Sequence, residues 1–124
     1  MGDRYSLVPL VEIMRRLRGE GGCPWDRKQT HESLRTYIVE EAYEVVQAID
    51  DGDYDELCEE LGDMLLQIAF HSQIASESGK FDVGDVIAGV VEKLTRRHPH
   101  VFGDVEARDS QTVLRNWERI KQRE

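Results

Sequence analysis

Residues 38–71 read IVEEAYEVVQAIDDGDYDELCEELGDMLLQIAFH, and this stretch decides the fold. Apolar residues recur at helical spacing on both sides of a short break, DDGD at 50–53. Asp53 is placed to cap the second helix, with Glu56 three residues on as a capping-box partner. The stretch therefore predicts two long antiparallel helices joined by a tight turn.

The same periodicity continues on both sides of this hairpin. It predicts five helices in all, at about 3–18, 33–50, 54–78, 82–97 and 110–122, and no strand. The segments GEGGCPWD and HPHVFGD, at 19–26 and 98–104, are expected to be loops. The predicted fold class is all-α, a helical bundle of about five helices.

The helix at 54–78 has an unusually wide apolar face, since Leu65, Leu66, Ile68 and Phe70 cover more than one of its sides. In so short a chain, such a helix needs more than one packing partner. A homo-oligomer is the natural source of the second partner, and we expect dimerisation to complete the core.

The composition indicates one soluble domain spanning residues 1–124, with 40% hydrophobic and 33% charged residues. The apolar runs are too short to cross a bilayer, and acids with an Arg pair interrupt residues 1–19, unlike a signal peptide. We therefore expect a cytoplasmic protein without membrane association. Cys23 and Cys58 lack the partners of a disulfide scaffold or a zinc ribbon.

The net charge of −9 is distributed unevenly along the chain. Residues 31–63 contain 12 acids and one base, Arg35, whereas residues 90–124 contain 8 bases and 6 acids. This pattern argues against a binder of long nucleic acids, which needs a basic surface. It favours a site that combines a metal with an anionic ligand.

Four acids fall on or beside the apolar stripes of the central helices: Glu41 and Glu44 on the first, Glu60 and Asp63 on the second. An ionised carboxylate in a low-dielectric environment must be paired, bind a metal or become neutral. Because Arg35 is the only nearby base in sequence, two matched i,i+3 pairs indicate a carboxylate metal site. Oxygen ligands favour Mg²⁺ or Mn²⁺ over zinc. The alternative is four solvated surface acids, and a di-iron bundle fails because no Glu-x-x-His is present.

EEAYE at 40–44 and ELGD at 60–63 form an EExxE...ExxD pattern that resembles the MazG-like nucleoside triphosphate pyrophosphohydrolases. GGCPWDRKQTHESL at 21–34, KLTRRHPHVFGD at 93–104 and NWERIK at 116–121 extend the resemblance over nearly the whole chain. It implies an α-helical dimer or dimer of dimers. In it, Mg²⁺, with Mn²⁺ as a possible substitute, is bound by Glu41, Glu44, Glu60 and Asp63.

The implied reaction is attack of water on the α-phosphorus of a nucleoside triphosphate, releasing a nucleoside monophosphate and pyrophosphate. The resemblance implies a catalytic set of Glu40, Glu41, Lys93 and Arg97, with Glu40 or one of the metal ligands accepting the proton of the water. Glu40 is equally well explained as an outer-sphere or solvated residue.

The resemblance also implies that Lys93, Arg96, Arg97 and Lys121 bind the phosphates, since Arg and Lys suit phosphate oxygens. Taken alone, the KxxRR pattern at a helix end is explained by compensation of the helix dipole.

Aromatic residues and histidines are the candidates for the nucleoside. Trp117 is expected to stack on the base, although its periodicity also fits a core position. Trp25 is the better candidate for an exposed aromatic, unless Pro24 and Trp25 plug the end of the bundle. His31 and His71 are candidate substrate contacts, with structural roles as the commoner alternative.

Two other functions remain open from the sequence. MazG proteins often carry two copies of this domain, and the first is catalytically silent in some members, acting in oligomerisation or nucleotide sensing. A narrower dUTPase, dCTPase or phosphoribosyl-ATP pyrophosphohydrolase is the other alternative, but CPWD at 23–26 and RRHPHVFGD at 96–104 favour MazG. We therefore expect a broad, house-cleaning enzyme.

Overall fold

The structure is a computed structural model that describes residues 3–124, and within that range it contains helices and no strand. The helices are α1 (Val8–Arg18), α2 (Pro24–Lys28), α3 (His31–Asp51), α4 (Tyr54–Glu77), α5 (Val83–Arg97), α6 (Pro99–Phe102) and α7 (Ser110–Arg123). The all-α fold class is confirmed. The chain divides into two compact units, one ending at Val83 and the other running from Gly84 to Glu124. Met1 and Gly2, the start of the stretch compared with a signal peptide, lie outside the described residues.

The predicted central hairpin is present as α3 and α4. Thr30 Oγ1 accepts the Ser33 N–H at 3.1 Å and Ser33 Oγ accepts the Thr30 N–H at 2.8 Å, so this capping box starts α3 at His31, two residues before the predicted start. Gly52 ends α3 in the left-handed conformation, with φ of +66°. Asp53 then caps α4, because its carboxylate accepts the Glu56 N–H at 3.1 Å. The predicted capping box is only half formed, since the Asp53 N–H donates to the Ala48 carbonyl oxygen rather than to Glu56. The two-residue turn makes α3 and α4 antiparallel neighbours.

The core of the first unit lies where α1 packs on α4 beside the start of α3. Its buried residues are Met14, Leu34, Ala69 and Phe70, with Leu10, Leu17 and Ile74 packed partly buried against them. This core occupies the end of the hairpin away from the Gly52 turn. The turn-side half of α3 and α4 therefore keeps many apolar side chains exposed, among them Tyr43, Val46 and Leu61.

Helix α1 is shorter than predicted, since it begins at Val8 rather than at Asp3. The Asp3 side chain accepts the Tyr5 N–H at 3.0 Å, and Ser6 Oγ accepts the Val8 N–H at 3.1 Å. These side-chain acceptors satisfy the backbone in turns that compete with helix, so the helical hydrogen bonds begin only after them.

The two segments expected to be loops each contain a short helix, so the expected number of about five helices rises to seven within residues 3–124. Pro24 and Pro99 are the first residues of α2 and α6. Proline is tolerated at this position because its missing N–H would have no helical partner and its φ already suits a helix. A proline thus begins a short helix within each segment that was expected to be a loop.

The second unit contains α6, α7 and nearly all of α5. The His98 ring, at the end of α5, lies edge-on to Trp117 of α7, with centroids 5.1 Å apart, and the Arg97 guanidinium lies over the same indole, 5.4 Å from its centroid. Asp109 caps α7 by accepting the Thr112 N–H at 2.8 Å. Of the described helices, none is long and apolar enough to cross a membrane.

We expect Leu34→Ala to lower the free energy of unfolding by about 2–5 kcal/mol, because it leaves a cavity beside Met14 and Phe70. Urea denaturation followed by circular dichroism measures this loss. Leu114→Ala, at an exposed position of α7, is the matched control and should change stability by less than about 0.5 kcal/mol. Equal effects of the two substitutions would contradict the assignment of the core.

Candidate active site

The hairpin brings the predicted metal ligands together at the middle of α3 and α4. One carboxylate oxygen from each of Glu41, Glu60 and Asp63 lies within 4.8 Å of the other two. Glu44 is not one of these three residues, but its carboxyl group contributes to the raised pKa of both Glu41 and Glu60, so it lies beside the cluster. The geometry therefore brings together three of the four predicted metal ligands, and their role as ligands stays a prediction.

The chemistry of these donors fits a divalent cation. Glu60 is only 6% exposed, and Oε2 of Glu41 is buried without a hydrogen-bond partner among residues 3–124. A cation would supply the positive charge that a buried carboxylate needs.

The electrostatics show how unfavourable the cluster is without a cation. The pKa of Glu60 rises from 4.5 to about 8, because its hydrogen bond with Glu44, its burial and the charges of Glu44 and Glu41 all favour the protonated form. Burial, followed by the charges of Glu44 and Asp63, raises the pKa of Glu41. Glu40 is exposed and adds a smaller repulsion to Glu41, so it lies beside the cluster.

The predicted phosphate-binding residues lie on α5 and α7 of the second unit. Arg96 and Arg97 both bind the Glu124 carboxylate, which sequence reasoning did not anticipate. Lys93 and Lys121 are exposed, and neither forms an ion pair with any other described residue. Trp117 is half-buried beneath Arg97 and beside His98. This placement agrees both with stacking on the base and with a packing position in the second unit.

The predicted nucleoside contacts of the first unit lie near the core end of the hairpin. Trp25 makes edge contacts with Tyr37 and Phe70, at centroid distances of 6.1 and 6.4 Å, yet remains 48% exposed. It therefore packs on the helices and also presents a free aromatic surface. His31 and His71 form a stacked pair whose Nδ1 atoms are 2.7 Å apart, and burial and His31 together lower the pKa of His71.

Sequence reasoning missed one polar residue of this region, Gln67. Its Oε1 atom and Nε2 of His71 are buried, and the described part of the chain offers neither a hydrogen-bond partner. Asp63, Gln67 and His71 follow each other at intervals of four on α4, so they share one face with the metal cluster. A glutamine at this spacing on an apolar stripe is the signal that would have identified it.

Comparison with known proteins places these features in a family. The model of the MazG nucleotide pyrophosphohydrolase domain matches residues 29–102, a range that holds all four predicted metal ligands together with Lys93, Arg96 and Arg97. The chain belongs to this family. Trp25, Trp117 and Lys121 lie outside the part of the chain that the MazG model matches.

Individual relatives agree with the MazG assignment. The chain is 55% identical over 115 residues to the nucleoside triphosphate pyrophosphohydrolase/pyrophosphatase MazG of Thermotoga maritima, covering 93% of this chain and 44% of that protein. It is 56% identical over 112 residues to the uncharacterized protein YabN of Bacillus subtilis, covering 90% of this chain and 23% of that protein. The chain thus spans less than half the length of these two curated relatives.

A solved structure shows the same fold. The crystal structure of a mazG-related protein from Thermotoga maritima superposes with a TM-score of 0.75 at 30% sequence identity, covering 93% of this chain and 98% of that one.

The raised pKa of Glu60 predicts a pH dependence of stability in the metal-free protein. Between pH 4.5 and about 8 the folded state holds the Glu60 proton more tightly than the unfolded chain does, so the free energy of unfolding should fall as pH rises through this window. Urea midpoints measured in EDTA at pH 5 and pH 8 test this. In the Glu60→Gln variant the free energy of unfolding should fall much less between these two pH values. In Glu59→Gln, which changes an exposed neighbouring position, it should fall as much as in the parent. Identical slopes for parent and Glu60→Gln would contradict the burial of this carboxyl group.

Proposed function

We propose that this chain is a Mg²⁺-dependent nucleoside triphosphate pyrophosphohydrolase that forms a nucleoside monophosphate and pyrophosphate. The observation that carries the proposal is the carboxylate cluster of Glu41, Glu60 and Asp63, with its buried and unpartnered Glu41 oxygen. Membership of the MazG family and 55% identity to a relative named for this activity support it. Mn²⁺ is the expected substitute, because it accepts the same oxygen ligands.

In the proposed reaction the carboxylates would bind the cation and the basic residues would bind the phosphates. Glu41, Glu44, Glu60 and Asp63 would hold the cation. When bound, the cation neutralises phosphate charge and lowers the pKa of a coordinated water. The proton of the attacking water would pass to Glu40 or to one of these four carboxylates. Hydrolysis breaks the bond between the α-phosphorus and the oxygen that bridges it to the β-phosphorus.

Binding of the leaving pyrophosphate is assigned to Lys93, Arg96, Arg97 and Lys121. Their cationic groups would neutralise the negative charge that develops on the β- and γ-phosphates as the bond breaks. Arg97 offers a planar fork held over Trp117, and the two lysines are unpaired within the described residues.

The nucleoside would extend from the metal cluster along α4 towards Gln67 and His71. These residues carry the buried unpartnered atoms next to Asp63, and a nucleobase edge or sugar hydroxyl would satisfy them. Trp25 offers an exposed aromatic face at the same end of the hairpin, and His31 supports His71 through the bond between their Nδ1 atoms. Trp117 remains the aromatic candidate of the second unit.

Substitution of a metal ligand tests the activity directly. Glu41→Gln and Asp63→Asn should each lower Mg²⁺-dependent pyrophosphate release by roughly 100-fold or more, since a bound cation stabilises the transition state by several kcal/mol. The measurement is pyrophosphate release from all ribo- and deoxyribonucleoside triphosphates, which also defines the base and sugar preference and tests the house-cleaning role.

Glu12→Gln, at an exposed position of α1, is the control and should keep the parent's rate. Circular dichroism should show that all three variants remain folded. Parent-like turnover of both ligand variants would refute the site assignment.

The second candidate is nucleotide binding without turnover. It rests on the chain covering only 44% and 23% of the two relatives. Titration with a non-hydrolysable triphosphate, with and without Mg²⁺, separates the two functions. Binding without turnover in the parent would favour this alternative over the enzyme. The cytoplasmic location stays a prediction from the sequence.

We also propose that the chain is a homo-oligomer, a dimer or a dimer of dimers. Val39, Tyr43 and Val46 form an exposed apolar stripe on α3, in which Tyr43 is 73% exposed, and Leu61, Leu65 and Ile68 form another on α4. Contiguous exposed apolar surface of this kind is typical of subunit interfaces.

Sedimentation equilibrium tests the assembly. The parent should have two or four times the monomer mass of 14.3 kDa, and Val46→Glu should dissociate it because burial of an unpaired charge at an interface is unfavourable. Leu114→Glu, which places the same charge on α7, should leave the mass unchanged. A monomeric parent at micromolar concentration would contradict the proposal.

A further inference from the structure

The carboxylate of Glu124 forms ion pairs with both arginines that are assigned to phosphate binding. Oε1 of Glu124 accepts a hydrogen bond from Nη2 of Arg97 at 2.7 Å, and Oε2 accepts one from Nε of Arg96 at 2.6 Å. Nε of Arg97 also donates to Oε2, at 3.5 Å. All three residues belong to the second unit, so this arrangement is complete within it.

The ion pair between Arg97 and Glu124 is partly shielded from solvent. The side chains of Arg97 and Glu124 are 17% and 23% exposed, so solvent screens them incompletely. Hydrogen bonds from Arg97 and Arg96 lower the pKa of Glu124 to about 2, which keeps the carboxylate ionised at neutral pH. Arg96 is held separately by Glu92, one helical turn before it on α5.

The position of Glu124 coincides with the predicted phosphate-binding set. Trp117, Lys121 and Glu124 follow each other at intervals of four and three on α7 and therefore share one face, and Arg97 lies over the Trp117 ring. A carboxylate offers two oxygens to a guanidinium fork, and a phosphate offers the same geometry with more charge. The two anions are therefore alternatives for the same donors.

We propose that Glu124 is an internal competitor for the phosphate-binding arginines, which the triphosphate must displace before Arg97 can bind it. This inference rests on the proposed function in one respect, the assignment of Arg96 and Arg97 to the phosphates. The Glu124 side chain is 23% exposed, so rotation of this side chain can release the two arginines without unwinding α7. Glu92 would continue to orient Arg96 after Glu124 has left.

Inorganic tripolyphosphate is the probe that isolates this competition from metal binding and turnover. Isothermal titration of the 124-residue chain in EDTA should show Glu124→Gln binding tripolyphosphate roughly 2- to 5-fold more tightly than the parent, the range expected for release of a partly screened ion pair. Glu118→Gln removes the same charge from an exposed position of α7 and should bind like the parent. Glu124→Ala is the second variant, in case the glutamine amide still bonds to Arg97.

Two further results decide between competition and other roles. When Arg97 is already replaced by Gln, Glu124→Gln should increase tripolyphosphate affinity less, because the guanidinium for which both anions compete is absent. An equally large increase in affinity would mean that Glu124 acts only through its negative charge and would overturn the proposal. Weaker binding by both Glu124 variants would make Glu124 a support for Arg97 and would also overturn it.

Kinetics give an independent readout. Glu124→Gln should lower KM for the nucleoside triphosphate with little change in kcat, whereas loss of a positioning residue would lower kcat. A parent without turnover would count against the proposed enzyme, yet the tripolyphosphate titration would still test the competition.

Discussion

Mutual repulsion of carboxylates between α3 and α4 is the constraint on which the rest of the structure depends. The hairpin must bring these two helices together to bury Leu34 and Phe70, and the same register brings Glu41 opposite Asp63 and Glu44 opposite Glu60. The hydrogen bond with Glu44, burial and the neighbouring charges raise the pKa of Glu60 to about 8, and protonation of Glu60 lowers the repulsion, as a bound cation would. In the proposed metal site, binding of a cation would therefore also stabilise the fold.

The second unit places positive charges next to each other and neutralises them with its own carboxylates. Arg96 and Arg97 are adjacent cations at the end of α5, where the helix dipole favours them, and Glu92 and Glu124 neutralise them. Each unit therefore holds like charges close together. Among the acids, the raised pKa of Glu60 favours protonation; the arginines pair with a carboxylate, which we propose that phosphate displaces.

The sequence predicted the elements that depend on local chemistry. The cap at Asp53, the turn at Gly52 and the apolar periodicity of α3 and α4 act over a few residues, so they were read correctly. The wrong helix bounds and loops arose where one residue type is compatible with two local structures. Pro24 and Pro99 end a helix or begin one, and Asp3 starts a helix or holds a turn, depending on which backbone groups already have partners.

By itself, the sequence determined the all-α fold, the family and the presence of matched acids on apolar stripes, because helical periodicity fixes which residues share a face. Only the tertiary structure decided that Glu41, Glu60 and Asp63 approach within 4.8 Å, that His31 pairs with His71 and that Glu124 occupies Arg96 and Arg97. Apart from the pair Glu60 and Asp63 on α4, these contacts join residues 19 to 40 positions apart, and their energies depend on burial and on mutual distance. Neither quantity exists until the helices have packed, so no local pattern encodes them.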